Sequence, residues 1–182
     1  MASGTVESTF TGMKILAQTP RTLRELLAAA TADDLEWQPR PDRWSISMVL
    51  AHLADVEEKG FVSRFRAMAA EDNPHLPAYD QLALFREAAK FDDRAELESF
   101  AGLRARTLEW LNELPASLIE RTGRHEELRG TITFGQLLHE FAFHDLGHIR
   151  QIMDCTARTP STRIWVYSKV ITRSTPEHKL KR

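Results

Sequence analysis

Four stretches of this chain space apolar residues three and four positions apart, which lines them up on one face of an α-helix. Leu16, Leu23, Leu26 and Leu27 do so within residues 5–30. Ile46, Val49, Leu50, Leu53, Val56 and Phe65 do so within 46–70, and Leu97, Phe100, Leu103, Leu108 and Leu111 within 94–114. Leu137, Phe141 and Ile152 follow in a stretch that runs from 134 to about 153. A helix with one apolar stripe must bury it against another element, so four such helices without a sheet predict an all-α helical bundle.

Local punctuation agrees with that division. Pro20, after Thr19, either opens a helix at its first position or kinks a longer one. Residues 31–44, with Asp33, Asp34, Pro39, Pro41 and Asp42, read as a connecting loop, and Ser45 as the N-cap of the second helix. Asp72, Asn73, Pro74 and Pro77 break the chain after it, with one short helix expected over 82–89. Pro115 ends the third helix, and Thr133 with Gln136 forms a capping box for the fourth. The connection 71–93 is long enough to run the length of a bundle, which would leave the second and third helices parallel. Residues 163–172 (RIWVYSKVIT) favour a strand by composition. A lone strand would leave its backbone groups unpaired, so a docked, helical C-terminal segment is expected there.

A chain of 182 residues with 42% hydrophobic and 27% charged content is one ordinary globular domain. Its core is expected at about 13–153, with 154–182 docked or mobile. Lys and Arg number 24 against 26 Asp and Glu, a net charge of −2 that lacks the broad basic surface of a nucleic-acid binder. No apolar run approaches the ~20 residues of a membrane span, and the N-terminus lacks a secretory pattern. The single cysteine, Cys155, cannot form an internal disulfide. A soluble protein in a reducing, cytoplasmic setting is the expectation.

The chemical signal is in the fourth helix, LLHEFAFHDLGHIRQI, which carries His139, His144 and His148. His144 and His148 stand one turn apart on the face shared with Leu137, Phe141 and Ile152. Such a pair can place two nitrogens on one metal, or can be two polar rings satisfied by hydrogen bonds. His139-Glu140 does not make a zinc-protease motif, because the position four residues on is Phe143. A di-iron bundle is excluded as well, since only Asp145-x-x-His148 approaches the needed carboxylate–histidine pairs. In the second helix His52 flanks the stripe of Val49, Leu53 and Val56. It is either a plain boundary residue or the third ligand of a three-histidine site with an open position.

The segments Trp44-Ser45-Ile46…His52-Leu53-Ala54-Asp55-Val56-Glu57 and His144-Asp145-Leu146-Gly147-His148-Ile149-Arg150-Gln151-Ile152 resemble the two hallmark segments of the DinB/YfiT-like superfamily. Gly130-Thr131-Ile132-Thr133 is similar to the turn and helix start this family places before its last helix. The resemblance covers roughly residues 13–153. It implies a four-helix bundle with a long crossover between parallel helices 2 and 3. It also implies a divalent metal, often nickel or zinc, held by His52, His144 and His148.

Other residues carry two readings each. Asp55 is either an acceptor that orients the His52 ring or a solvated helix residue. Glu57 and Glu58 read as surface charges, and as general bases only if turned toward the metal. Asp145 and Gln151 suit a capping or interhelical hydrogen bond as well as catalysis. The weak catalytic candidates are therefore Asp55, Glu57 and Asp145. Trp37 and Trp44 read as core anchors, Arg64 and Arg66 as surface salt-bridge formers or anion binders, and Cys155 as an inert thiol. Lys179, Lys181 and Arg182 read as a solvated tail.

Two functions follow. The first is a metalloenzyme acting on a small molecule, through activated water (a hydrolase) or an activated thiolate. The latter resembles the bacillithiol- or mycothiol-dependent S-transferases and maleylpyruvate isomerase, with a low-molecular-weight thiol as co-substrate. The second is a metal-binding stress-response or structural bundle without turnover. A homodimer built on an exposed helix face is compatible with either.

Overall fold

Side-chain caps start the helices at the expected residues. Ser45 Oγ accepts from Met48 N at 3.3 Å. Thr133 Oγ1 accepts from Gln136 N at 3.1 Å while Gln136 Oε1 accepts from Thr133 N at 2.8 Å, a closed capping box. The computed structural model describes residues 4–83 and 91–156. A short helix α1 (Val6–Thr9) leads into α2 (Met13–Leu27), with Pro20 inside it, and α3 (Ala32–Glu36) follows. The second bundle helix is α4 (Ile46–Val56), a π-helical segment (Glu57–Val62) and α5 (Ser63–Ala70) end to end. Strand β1 (His75–Leu76), helix α6 (Asp93–Glu113), a 3₁₀ turn (Ala116–Glu120), strands β2 (Thr122–His125) and β3 (Gly130–Thr133), and helix α7 (Phe134–Thr156) complete the order.

Two apolar clusters fix the directions of the bundle helices. At one end Leu16, Phe65, Met68, Leu111, Phe134 and Leu137 pack together. At the other end Leu23, Ile46, Leu50, Leu53, Phe100, Ile152 and Cys155 do. The starts of α4 and α6 thus share an end with the finishes of α2 and α7. The α4–α5 helix and α6 are parallel, with α2 and α7 antiparallel to both, so the connection between Ala70 and Asp93 joins opposite ends of the bundle.

Two expectations need correction. The loop 31–44 contains α3, whose Thr31–Asp34 capping box supplies enough local bonding for one turn. The chain also has a sheet: β2 pairs antiparallel with β3 and parallel with β1. The missed signal was the alternation around Gly123 and Ile132, too short to read as strands. A Cβ on Gly123 would sit 2.7 Å from Leu76 Cδ1, so a larger residue there would have to push the Leu76 side chain aside. Of the two readings of Pro20, the structure has the one inside a longer helix, α2. The helix expected over 82–89 and the segment 163–172 lie largely or wholly outside the described residues.

Candidate metal centre

Helices α4 and α7 bring three imidazoles to one point between the two apolar clusters. His144 Nε2 lies 3.1 Å from His52 Nε2 and 3.1 Å from His148 Nε2. One ligand atom from each ring falls within 4.8 Å of the other two. Three nitrogens at ~2.0–2.1 Å on a tetrahedral metal would stand about 3.3 Å apart, close to what the rings already adopt. Hydrogen bonding alone cannot account for the arrangement. A ring nitrogen has either one in-plane lone pair or one proton, so His144 Nε2 can satisfy only one of its two neighbours. On the far side of each ring, the Nδ1 atoms of His52 and His144 are buried without a hydrogen-bond partner among the described residues, which leaves their Nε2 atoms as the ones turned to the cluster. The donor set therefore fits a shared cation better than it fits itself.

The electrostatics keep these rings in the form a metal needs. Burial pushes the His52 pKa down to about 3, with the neighbouring His148 adding to it and Asp55 opposing. Burial pushes His144 down to about 2, reinforced by His148, His52 and Arg104. His148 is also lowered by burial, opposed by its hydrogen bond to Gln151 and by Asp145. All three are neutral near pH 7, as metal ligation requires. Among the described residues, only the His148 ring has an outer hydrogen-bond partner, Gln151 Oε1 at 2.9 Å from its Nδ1, which sets its tautomer and leaves Nε2 for the cluster.

Aromatic rings wall the site. Trp44 stacks on His148 with centroids 6.2 Å apart and 1° between planes, and tilts over His52 at 4.9 Å. It borders the histidines as well as packing on the second core cluster. Phe61 meets His144 edge-on at 5.2 Å. Tyr79 lies 5.9 Å from His52 and was not singled out in the sequence, since nothing local marks it. Its hydroxyl donates to Asp55 Oδ2 at 2.6 Å. Burial, then that bond, raises the Tyr79 pKa well above the ordinary phenol value.

The three carboxylate candidates each bind groups other than the histidine nitrogens. Asp55 holds Tyr79 and Lys59 instead of the His52 ring. Glu57 is 1% exposed and not a surface charge, and Asp145 is 0% exposed. Both bind Arg104, a residue the sequence reading passed over: its Nη2 lies 2.9 Å from Glu57 Oε2, and its Nη1 2.6 Å from Asp145 Oδ2. A signal was present, since Arg104 sits four residues after Phe100 on the apolar stripe of its helix. Arg64 is also buried rather than superficial, braced by Glu127 Oε2 at 2.7 Å and the Pro77 carbonyl at 2.9 Å. Arg66 is exposed and lies over the Trp110 ring at 5.9 Å. The Cys155 thiol is buried against the Trp44 carbonyl, and burial raises its pKa, the opposite of activation.

A four-helix bundle with a long crossover and a three-histidine cluster between its second and last helices defines a family. Residues 15–152 match the DinB superfamily, and the chain belongs to it. Two relatives are provisionally named metal-dependent hydrolases. One from Oceanobacillus iheyensis is 26% identical over 76% of this chain and 80% of its own length. The other, YfiT from Bacillus subtilis, is 24% identical over 80% of this chain and 83% of its own. The solved structure of YfiT, described as a four-helix bundle of unusual topology, superposes with a TM-score of 0.73. It covers 81% of this chain and 85% of that one. Among the described residues, no helix is long and apolar enough to cross a membrane.

Proposed function

We propose that this chain is a metal-dependent hydrolase of a small molecule, with His52, His144 and His148 as the ligands of a zinc or nickel ion. The observation that carries this reading is the pair of 3.1 Å contacts at His144 Nε2, which a shared cation accounts for and hydrogen bonds do not. A divalent metal on three neutral imidazoles supplies Lewis acidity toward water or a substrate oxygen. The chain's own part is to keep the rings unprotonated by burial, to orient His148 through Gln151, and to shield one side of the site with Trp44, Phe61 and Tyr79.

One observation favours a second reading, a metal-binding bundle without turnover: Asp55, Glu57 and Asp145 are all engaged elsewhere, so no side-chain carboxylate among them stands ready as a base. Elemental mass spectrometry on untagged protein tests the metal. Near one equivalent of zinc or nickel, lost in His144→Ala/His148→Ala, is expected; a wild type that takes up no added metal overturns both readings. Chelator-sensitive cleavage of small esters or amides by the loaded protein then selects the hydrolase. Stoichiometric metal with no cleavage selects the second reading, and turnover only with an added low-molecular-weight thiol selects S-transfer.

A further inference from the structure

Arg104 is 1% exposed and joins all four bundle helices at one point. Its Nε and Nη2 hold both oxygens of Glu57 on the π segment, at 2.9–3.1 Å. Its Nη1 and Nη2 hold the two oxygens of Asp145 on α7, at 2.6 and 3.0 Å. Nη1 also donates to the carbonyl of Leu16 on α2 at 2.9 Å. That carbonyl lacks its usual helical partner because residue 20, four positions on, is a proline with no N–H. The guanidinium lies between Phe100 and Phe141, 4.8 and 4.5 Å from their centroids.

Stability alone is a poor explanation for such a cluster. A buried ion triad is often no more stabilising than apolar residues of the same volume. What it supplies is geometry, and its location says for what. Asp145 is the neighbour of His144 in sequence, and its two oxygens on one planar fork set the rotation of α7 about its axis. A nitrogen at the ~5–6 Å outer radius of a helix moves about 2 Å for a rotation of about 20°, roughly ten times the tolerance of a metal–ligand distance. Glu57 does the same for the other ligand helix, five residues beyond His52, where the chain widens into the π segment. Gly60 lies in that segment, packed so that a Cβ there would meet Val56 Cγ2 at 2.6 Å.

We infer that Arg104 is a positioning residue of the metal centre, acting on His144 through Asp145 and on the His52 helix through Glu57. The inference rests on the three-histidine reading, and the test separates the two. Zinc affinity is measured by competition with a chromophoric chelator, and ligand geometry by the visible absorption of the cobalt(II)-loaded protein. Wild type is compared with Arg104→Lys, which keeps the charge and loses the fork, and with Asp145→Asn, which keeps the shape. Helix content is monitored throughout. The expected result is folded variants with zinc affinity reduced 10–100-fold and a shifted cobalt spectrum, the usual loss for outer partners of a metal site.

Wild-type affinity and spectrum in both variants overturn the inference and leave the three-histidine site standing. A wild type that binds neither metal overturns both. If Arg104→Lys does not fold, Asp145→Asn and the neutral combination Arg104→Met/Glu57→Gln/Asp145→Asn carry the comparison. An unchanged cobalt spectrum in these would make the triad merely structural, against the inference.

Discussion

Two polar clusters are buried next to one another in this bundle, and consecutive residues of α7, His144 and Asp145, belong to different ones. Around Arg104 the polar groups answer each other: two carboxylates share one guanidinium fork, and a carbonyl freed by Pro20 accepts a further hydrogen bond from it. Around His144 they do not. Three ring nitrogens crowd together, and His144 Nε2 can satisfy only one of the two that face it. A buried network rigidifies a fold when complete and weakens it when half satisfied. The comparison teaches which of the two is finished by the chain itself and which is built around something the chain does not supply.

Breaking the finished cluster should have the largest effect. Arg104→Met leaves two carboxylates buried without a counter-charge, and about 3–5 kcal/mol of unfolding free energy should be lost in urea titrations. Loss of under 1 kcal/mol would show that water or a rearranged partner satisfies them.

Completing the unfinished cluster comes next. Zinc at a thousand times its dissociation constant should raise the unfolding free energy by about 4 kcal/mol. It should do nothing in His144→Ala/His148→Ala. Equal stabilisation of both proteins would place the metal elsewhere.

The pH dependence separates the clusters without metal. The folded pKa values of His52 and His144, about 3 and about 2, lie below the ordinary 6.5. The unfolded chain therefore binds more protons below that pH. Stability of the metal-free protein should be full above pH 6.5 and fall as the pH drops toward 3. The slope is at most roughly 1.4 kcal/mol per pH unit for each histidine. Denaturant midpoints from pH 7.5 to 4 should show a shallower slope in His144→Ala; an unchanged slope would deny that His144 is held neutral by the fold.

The smallest effects sort the outer partners. Gln151→Ala, which removes the acceptor of His148 Nδ1, should weaken zinc binding about tenfold. Asp55→Asn should leave it within a factor of two or so, because Asp55 faces Tyr79 and Lys59. The reverse order would return Asp55 to a place beside the His52 ring.

Much of the architecture was legible because it is written locally. Three- and four-residue spacing marked the four bundle helices, and Ser45 and Thr133 marked two of their starts. The spacing of His144 and His148 put two rings on one helix face before any packing was known. Elements of two to five residues, β1, β2, β3 and α3, escaped because so short a segment shows no period.

Side-chain direction across helices was decided only by the tertiary structure. Asp55 stands three residues after His52 and Asp145 one after His144, and sequence distance made each a natural companion of its histidine. In the folded protein the partners come instead from 24 and 41 positions away: Tyr79 and Arg104. Helical periodicity is a property of a few consecutive residues and survives in the sequence. The partner of a buried charge depends on which helices become neighbours and how each is rotated, and no local pattern encodes that.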